Sequence, residues 1–329
     1  SFDTTKVTTM RAMFKDCQNL KTLNITTFRT PILIDTYAMF QNCFLLQSVD
    51  CSSFDTKGVT NMADMFRDCR SANMIDISNF NLILTESVAN MFRDCQKLSN
   101  LYLPQKMNMG AVKTVNCMFY NCVYLETLDA TGFDLSAQLT NMGSMFANCT
   151  RLKSVTFPAA GEWSTENVTD MSSMFLNCNS VTNLDCSAFT VAKTINYANM
   201  FRACGALTEV NLAGWTLPAG ANVQYMFYTC FNLETIYVSQ AWIPSRVTDT
   251  TGGTTMFLYC NSIKGAGGMV YQGSRQIHST SGSTEADGSK AAWAQVGSTG
   301  YLSAFYDLGT ATWRLNGGGH LELAPKTGT

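Results

Sequence analysis

The sequence predicts an α/β solenoid of about ten stacked coils, closed by a small β-rich C-terminal segment. The main observation is a Met-Phe-x-x-Cys unit that recurs ten times, with successive cysteines 26 to 30 residues apart. These units contain ten of the 13 cysteines and ten of the 18 methionines, so one motif explains the unusual composition. A second observation is that helical and strand-like apolar spacings alternate within each repeat. The repeat cysteines are Cys17, Cys43, Cys69, Cys95, Cys122, Cys149, Cys178, Cys204, Cys230 and Cys260.

Each repeat begins with a segment of the form Val-Thr-x-Met-x-x-Met-Phe-x-x-Cys, as in residues 59–69. Its apolar residues recur at spacings of three and four, which predicts a short helix capped by the threonine. A Leu-x-Leu pair such as Leu101 and Leu103 follows, and its period of two predicts a short strand. Polar turn residues then close the coil. Pro104 and Pro158 are expected to stop their strands early.

A single repeat cannot bury its own apolar side, so neighbouring coils must stack. Stacking places a parallel sheet on one face and the short helices on the other, with Met, Phe, Leu and Cys in interior columns. We expect the ten repeat cysteines to be a structural ladder of buried, reduced thiols, because ladder β-carbons lie about one strand spacing apart, beyond disulfide range. Disulfides and a metal site are the alternatives. Cys51 and Cys186 are expected in the core, and Cys117 is expected to be partly exposed.

The predicted domain organisation is a ten-repeat solenoid over residues 1–265 and a Gly/Ser-rich capping segment over residues 266–329. Residues 264–329 hold 13 of the 23 glycines and both histidines, and residues 273–290 have the composition of a flexible loop. Short strands are expected at residues 292–294, 301–306, 310–315 and 320–323. Capping the open end of the solenoid is the expected role, and ligand binding is the alternative. Asp307 and His320 lack an accompanying nucleophile motif.

Composition excludes several classes of function. Charged residues make up 14% of the chain and the net charge is −2, so the clustered cations of a nucleic-acid binder are missing. No apolar run reaches the ~20 residues of a transmembrane helix. The first 277 residues contain no histidine and the chain contains no Cys-x-x-Cys pair, which argues against zinc and thioredoxin-like redox sites. We therefore expect no enzyme activity, no cofactor and no metal.

The candidate binding residues lie seven positions after the repeat cysteines, on the predicted outer face of the sheet. Two of them are tyrosines, and exposed aromatic residues favour contact surfaces. The others are aspartates, and neighbouring carboxylates about 5 Å apart repel each other unless they are hydrated or bridged. A merely solvated face and a calcium site, which needs six to eight oxygen ligands, are the alternatives. The candidates are Asp50, Asp76, Tyr102, Asp129, Asp185 and Tyr237.

The repeat string Met-Phe-x-x-Cys-x-x-Leu-x-x-Leu-x-Leu closely resembles the BspA-like leucine-rich repeats of bacterial surface proteins. Residues 59–66, Val-Thr-Asn-Met-Ala-Asp-Met-Phe, resemble the roughly 26-residue subclass that also occurs in mycoplasma lipoproteins. The resemblance covers about residues 2–265. It implies a right-handed leucine-rich-repeat-like solenoid on the bacterial cell surface, used for adhesion or for contact with host or neighbouring-cell molecules. It supplies no catalytic residues.

These observations together predict a non-enzymatic, extracellular protein that binds a protein or glycan through its sheet face. A spacer or variable surface-antigen rod that presents another domain is the alternative, and an enzymatic or ligand-binding C-terminal segment is the third class. The oligomeric state is left open. Phe2 occupies the aromatic position of a repeat whose beginning is not in the sequence, so we expect further sequence upstream, including a signal peptide or lipid-anchor cysteine.

Overall fold

The structure is a computed structural model that describes residues 3–135, 137–159, 161, 164–218, 220–238, 256–257, 259–260, 262, 311–315 and 321–325. The chain forms two compact units, Ser1–Val168 and Thr169–Thr329. In each unit, successive coils contribute short parallel strands to sheets, so the predicted parallel-strand solenoid is confirmed within each unit. The predicted boundary at residues 265/266 lies outside the described residues.

The first unit contains short strands that are joined in parallel pairs. Sheets of order β1-β2-β3, β4-β6 and β5-β7 result, and the residues that align across the first sheet are Val49, Ile75 and Leu101. These central residues point to the interior, as the period of two predicts. The strands are β1 (Ser48–Asp50), β2 (Met74–Asp76), β3 (Asn100–Tyr102), β4 (Met107–Met109), β5 (Thr127–Asp129), β6 (Phe133–Leu135) and β7 (Ser154–Thr156).

The second unit contains a parallel sheet of order β10-β9-β8 and an antiparallel pair, β11-β12. The antiparallel pair confirms the strands expected at residues 310–315 and 320–323. The strands expected at 292–294 and 301–306 and most of the tenth coil lie outside the described residues, so the count of ten coils and the capping role stay predictions. The strands are β8 (Asn183–Asp185), β9 (Glu209–Leu212), β10 (Thr235–Val238), β11 (Ala311–Leu315) and β12 (Leu321–Pro325).

The predicted short helices are wrong. The described residues contain no helix, and the Met-Phe segment is instead a series of turns. In the coil of residues 59–69, Asp64 and Asp68 have left-handed φ angles of 57° and 60°. The amide of Arg67 donates back to Asp64 O at 3.1 Å, whereas that of Phe66 donates to Met91 O of the next coil at 2.9 Å. An α-helix needs right-handed angles throughout and bonds four residues back, and this segment has neither.

These turn segments stack directly from coil to coil. In the first unit, the phenylalanines of the Met-Phe pairs have ring centroids 5.3 to 5.6 Å apart and nearly parallel planes. That spacing lies within the favourable range for aromatic pairs. Isolated parallel bridges join the equivalent residues Thr9, Asp35, Asn61, Ser87, Thr114 and Asn141 in the first unit, and Asp170, Asn196 and Asn222 in the second.

The repeat cysteines occupy the column beside the phenylalanines. Eight of the repeat thiols donate a hydrogen bond to the carbonyl oxygen of the phenylalanine one coil earlier. Cys122 Sγ, for example, donates to Phe92 O at 3.1 Å. The same oxygen accepts the amide of Cys95 in its own coil, also at 3.1 Å. The thiol therefore uses the second lone pair of a buried carbonyl. The equivalent thiol donors are Cys43, Cys69, Cys95 and Cys149 in the first unit and Cys204, Cys230 and Cys260 in the second.

All 13 cysteines are free thiols, and the core positions of Cys51 and Cys186 are confirmed. The expectation of a buried thiol is wrong for Cys17, which is exposed. Cys117 is buried rather than partly exposed. Burial raises the pKa of Cys149 to about 12, so such thiols stay protonated at neutral pH.

Candidate functional site

The predicted contact residues fall at the ends of strands in three separate sheets. Asp50, Asp76 and Tyr102 align across β1, β2 and β3. Asp129 ends β5 and aligns with Thr156 of β7. In the second unit, Asp185 of β8 and Tyr237 of β10 are separated by Asn211 of β9. The structure thus brings the first three together in one sheet.

The four aspartates among these contact residues, which we call the contact column together with Tyr102 and Tyr237, also have a structural role that the sequence did not predict. Asp129 Oδ1 accepts the amide of Thr131 at 2.9 Å and its hydroxyl at 2.6 Å, which forms an Asx turn. Asp50 and Asp185 make the same pair of bonds to the serine two residues ahead, and Asp76 Oδ1 accepts the Ser78 amide. The Asp-x-Ser/Thr spacing is the sequence signal for this turn. It turns the chain out of the strand after the last paired residue.

The ionisation of the column follows from these contacts. Hydrogen bonds from Thr131 lower the pKa of Asp129, so this side chain is a carboxylate at neutral pH. Partial burial, together with the nearby Glu209 carboxylate, raises the pKa of Tyr237. Tyr102 is 52% exposed, whereas Tyr237 is half-buried, so the two predicted aromatic anchors differ in accessibility. In the part of the chain that the structure describes, no group of His, Cys, Asp or Glu is placed to hold a metal ion.

The coil that contains β3 departs from this pattern. Residues 102–104 are Tyr-Leu-Pro, which supply neither the carboxylate nor the amide N–H that an Asx turn requires. In this coil, the segment between the strand and the next paired residue is also one residue longer than in the following coil. Met107 of β4 pairs with Phe133 of β6, yet Met107 follows Cys95 by 12 residues (107 − 95) and Phe133 follows Cys122 by 11 (133 − 122). The extra residue lies between β3 and β4, next to the proline.

The sheet is interrupted where this coil meets the next one. On one side, Ile77 N donates to Tyr102 O at 2.9 Å, and on the other, Ala130 N donates to Thr156 O at 2.8 Å. The equivalent bond from Leu103 N to the carbonyl of residue 129 is absent, and β3 and β5 do not pair, although every residue of both strands is described. Two strand edges with open hydrogen-bonding groups therefore face each other.

A cleft of about 680 Å³ opens between these edges. Backbone hydrogen bonds join the two coils again at both ends of the cleft. Tyr124 N donates to Gln96 O at 3.0 Å at one end, and Met107 N donates to Gly132 O at 2.7 Å at the other. A Cβ at Gly132 would lie 2.5 Å from the oxygen of Gln105, so only glycine permits the approach there. Two of the predicted contact residues, Tyr102 and Asp129, line the cleft. The other polar residues of the lining include Asn100, Gln105, Thr127 and Thr131.

Stacked coils with parallel strands and an outward sheet face define a solenoid repeat protein. The family model described as "Mycoplasma protein of unknown function, DUF285" matches residues 1–102, 35–157 and 140–266. The chain belongs to this family, and its resemblance to BspA-like leucine-rich-repeat proteins is confirmed. No curated protein matches the chain. Within the described ranges, no helix has the length and apolar character needed to span a membrane.

Solved structures that are similar to this chain include three bacterial proteins. A leucine-rich repeat protein from Bacteroides ovatus is 16% identical over 78% of this chain and 68% of its own, with a TM-score of 0.39. A leucine rich cell surface protein from Faecalibacterium prausnitzii is 17% identical over 70% of this chain and 68% of its own, with a TM-score of 0.34. An internalin from Listeria monocytogenes is 14% identical over 65% of this chain and 74% of its own, with a TM-score of 0.21.

Proposed function

We propose that this chain is a non-enzymatic, extracellular protein of the bacterial surface that binds a protein or glycan on host or neighbouring cells through its sheet face. The observation that carries the proposal is the accessible Tyr102 ring beside a cleft in that face. An exposed aromatic ring offers a large contact area with few rotatable bonds, which is typical of contact surfaces. The low net charge fits a partner recognised by shape and hydrogen bonding.

Affinity on such a surface is the sum of contacts that need little reorganisation. The Asx turns hold Asp50, Asp129 and Asp185 in fixed orientations before a partner arrives. Fixed side chains lose less conformational entropy on binding, so each weak contact contributes more to the total. The proposed contact residues are Asp50, Asp76, Tyr102 and Asp129 in the first unit and Asp185 and Tyr237 in the second.

The test is binding of the full chain to intact cells and to arrays of matrix proteins and glycans. We expect Tyr102→Ser and Tyr237→Ser each to weaken binding by about tenfold or more, the range typical of aromatic anchors. Tyr124→Ser is the matched control, because Tyr124 is 45% exposed but lies outside the column, under the Arg151 guanidinium at 4.3 Å. Wild-type binding by both tyrosine variants would contradict the proposal.

A structural spacer or variable surface-antigen rod is the second candidate. It is favoured by the Asx turns, because they give the aspartates a role in folding that requires no ligand. A spacer tolerates both tyrosine substitutions without loss of function. It also tolerates removal of a complete coil, with only its length changed.

A further inference from the structure

We infer that the cleft between β3 and β5 binds a neutral saccharide. This inference rests on the proposed function, since the cleft lies in the same sheet face, and it names the class of ligand. The cleft combines open backbone groups, uncharged polar side chains and an accessible aromatic ring within one recess closed at both ends.

The hydrogen-bonding groups of the cleft match those of sugar hydroxyls. Leu103 N–H is an open donor on one edge, and the carbonyl of residue 129 is an open acceptor on the other. A hydroxyl both donates and accepts, so a ring bearing several hydroxyls can satisfy the two edges together. Amide and hydroxyl side chains line the same space, namely Asn100, Gln105, Thr127 and Thr131.

The charge of the cleft indicates a ligand without negative charge. Asp129 is the one ionisable carboxylate among the lining residues, and no cationic side chain lines the cleft. Two described ion pairs include a residue next to the lining in the sequence, Lys106 with Asp134 at 3.3 Å and Lys153 with Glu126 at 2.6 Å, but none of these four residues lines the cleft. An anionic group would meet a carboxylate and no counter-charge, so phosphorylated and acidic sugars are disfavoured.

The shape of the cleft favours a compact ligand over a continuous peptide strand. A peptide that adds to a sheet needs a strand edge that is open along its length. Here the backbone bonds Tyr124 N to Gln96 O and Met107 N to Gly132 O close both ends. The volume of 680 Å³ lies in the range of small-molecule sites, about 300 to 1,000 Å³. The Tyr102 ring at the rim offers an apolar face for the C–H face of a sugar and a hydroxyl that reaches water.

The experiment titrates the full chain with neutral tri- and tetrasaccharides of glucose, galactose, mannose and N-acetylglucosamine, followed by saturation-transfer NMR and calorimetry. We expect at least one of them to bind, Tyr102→Ser to weaken that binding about tenfold or more, and Asp129→Asn to weaken it several-fold. Asp129→Asn keeps the turn, because Asn24 accepts the same two bonds from Thr26. Tyr124→Ser and Asp3→Asn are the matched controls and should bind like wild type, because Asp3 accepts the same two bonds from Thr5 but is not one of the proposed contact residues.

Three results would overturn the inference: no saccharide of the panel binds, Tyr102→Ser binds as wild type does, or an extended peptide occupies the cleft in place of every saccharide. Cell binding separates this inference from the proposed function. If saccharides fail while cell binding still depends on Tyr237, the saccharide cleft is wrong and the proposed function stands. If a saccharide binds at the cleft but cell binding is unchanged in both tyrosine variants, the proposed function is wrong.

Discussion

At the scale of single residues, the repeat cysteine is defined by the carbonyl that it contacts. Phe66 O accepts the Cys69 amide at 3.1 Å within its coil and the Cys95 thiol at 3.1 Å from the next coil. A valine would fill the space but would leave the second lone pair unused. A small apolar side chain with a weak S–H donor meets both demands. This explains why cysteine recurs in a chain without disulfides.

The buried thiols predict that stability falls steeply in alkaline solution. Burial raises the pKa of Cys69, Cys95 and Cys122 well above 9.0, the value expected for an exposed thiol. Above that value the unfolded chain loses protons that the native chain keeps, so the free energy of unfolding decreases by roughly 1.4 kcal/mol per pH unit for each thiol. Stability is therefore full below about pH 8.5 and is lost as the pH rises toward the native pKa values.

Thermal melts followed by far-UV circular dichroism between pH 7.5 and 10.5, with reductant and without oxygen, measure this effect. We expect Tm to be flat up to about pH 8.5 and to fall by 10 °C or more above it. Thiolate absorbance at 240 nm is the internal control and should appear together with unfolding. A constant Tm across the whole range, or thiolate absorbance in the folded state, would contradict the explanation.

At the scale of elements, the strands were predictable and the turns were not. The Leu-x-Leu spacing locates β3, because a period of two has no other simple structural origin. Spacings of three and four have two origins, an α-helix or a run of turns with left-handed residues. The residue before the first seven repeat cysteines distinguishes them, because it is Asp or Asn, as at Asp68, Asp94 and Asn121, and these residue types tolerate positive φ. The cleft lies where the segment after the strand is one residue longer in one coil than in the next, so Pro104 alone does not reveal it.

The Asx turn that is missing after β3 predicts how to close the cleft. Tyr102→Asp combined with Pro104→Ser supplies the carboxylate and the amide N–H of the missing Asx turn. We expect the double variant to gain about 1 kcal/mol of unfolding free energy for each hydrogen bond formed and to lose saccharide binding. Denaturant unfolding measures the first effect and calorimetry measures the second. Tyr102→Ser with Pro104 retained is the control that lacks the turn, and a double variant no more stable than this control would refute the prediction.

At the scale of the whole molecule, adjacent described coils within each unit are bonded to each other. Asn73 N donates to Gln47 O, and Ser99 N donates in turn to Asn73 O. The free energy of unfolding is then approximately the sum of the intrinsic stability of each coil and the interaction energy between adjacent coils. The equivalence of coils also means that a deletion of one complete repeat preserves every column, whereas a partial deletion shifts all of them.

Deletion of complete coils tests this additivity. Removal of residues 44–69 joins two equivalent cysteine positions, and we expect a folded chain with a lower Tm and unchanged saccharide binding. Removal of residues 96–122 should also fold but should lose saccharide binding, because it eliminates β3. Circular dichroism and calorimetry measure both variants. Removal of residues 44–56 is the out-of-register control and should not fold, and native-like folding of that control would contradict the requirement for stacking.

The extra residue between β3 and β4 also bears on how such arrays acquire new ligands. A codon inserted between a strand and the following turn lengthens one coil and leaves those above and below in register. The result is a local recess whose position along the array is set by which repeat receives the insertion. Recognition in this architecture can therefore diversify through small insertions and deletions, while the buried columns of every repeat keep their composition.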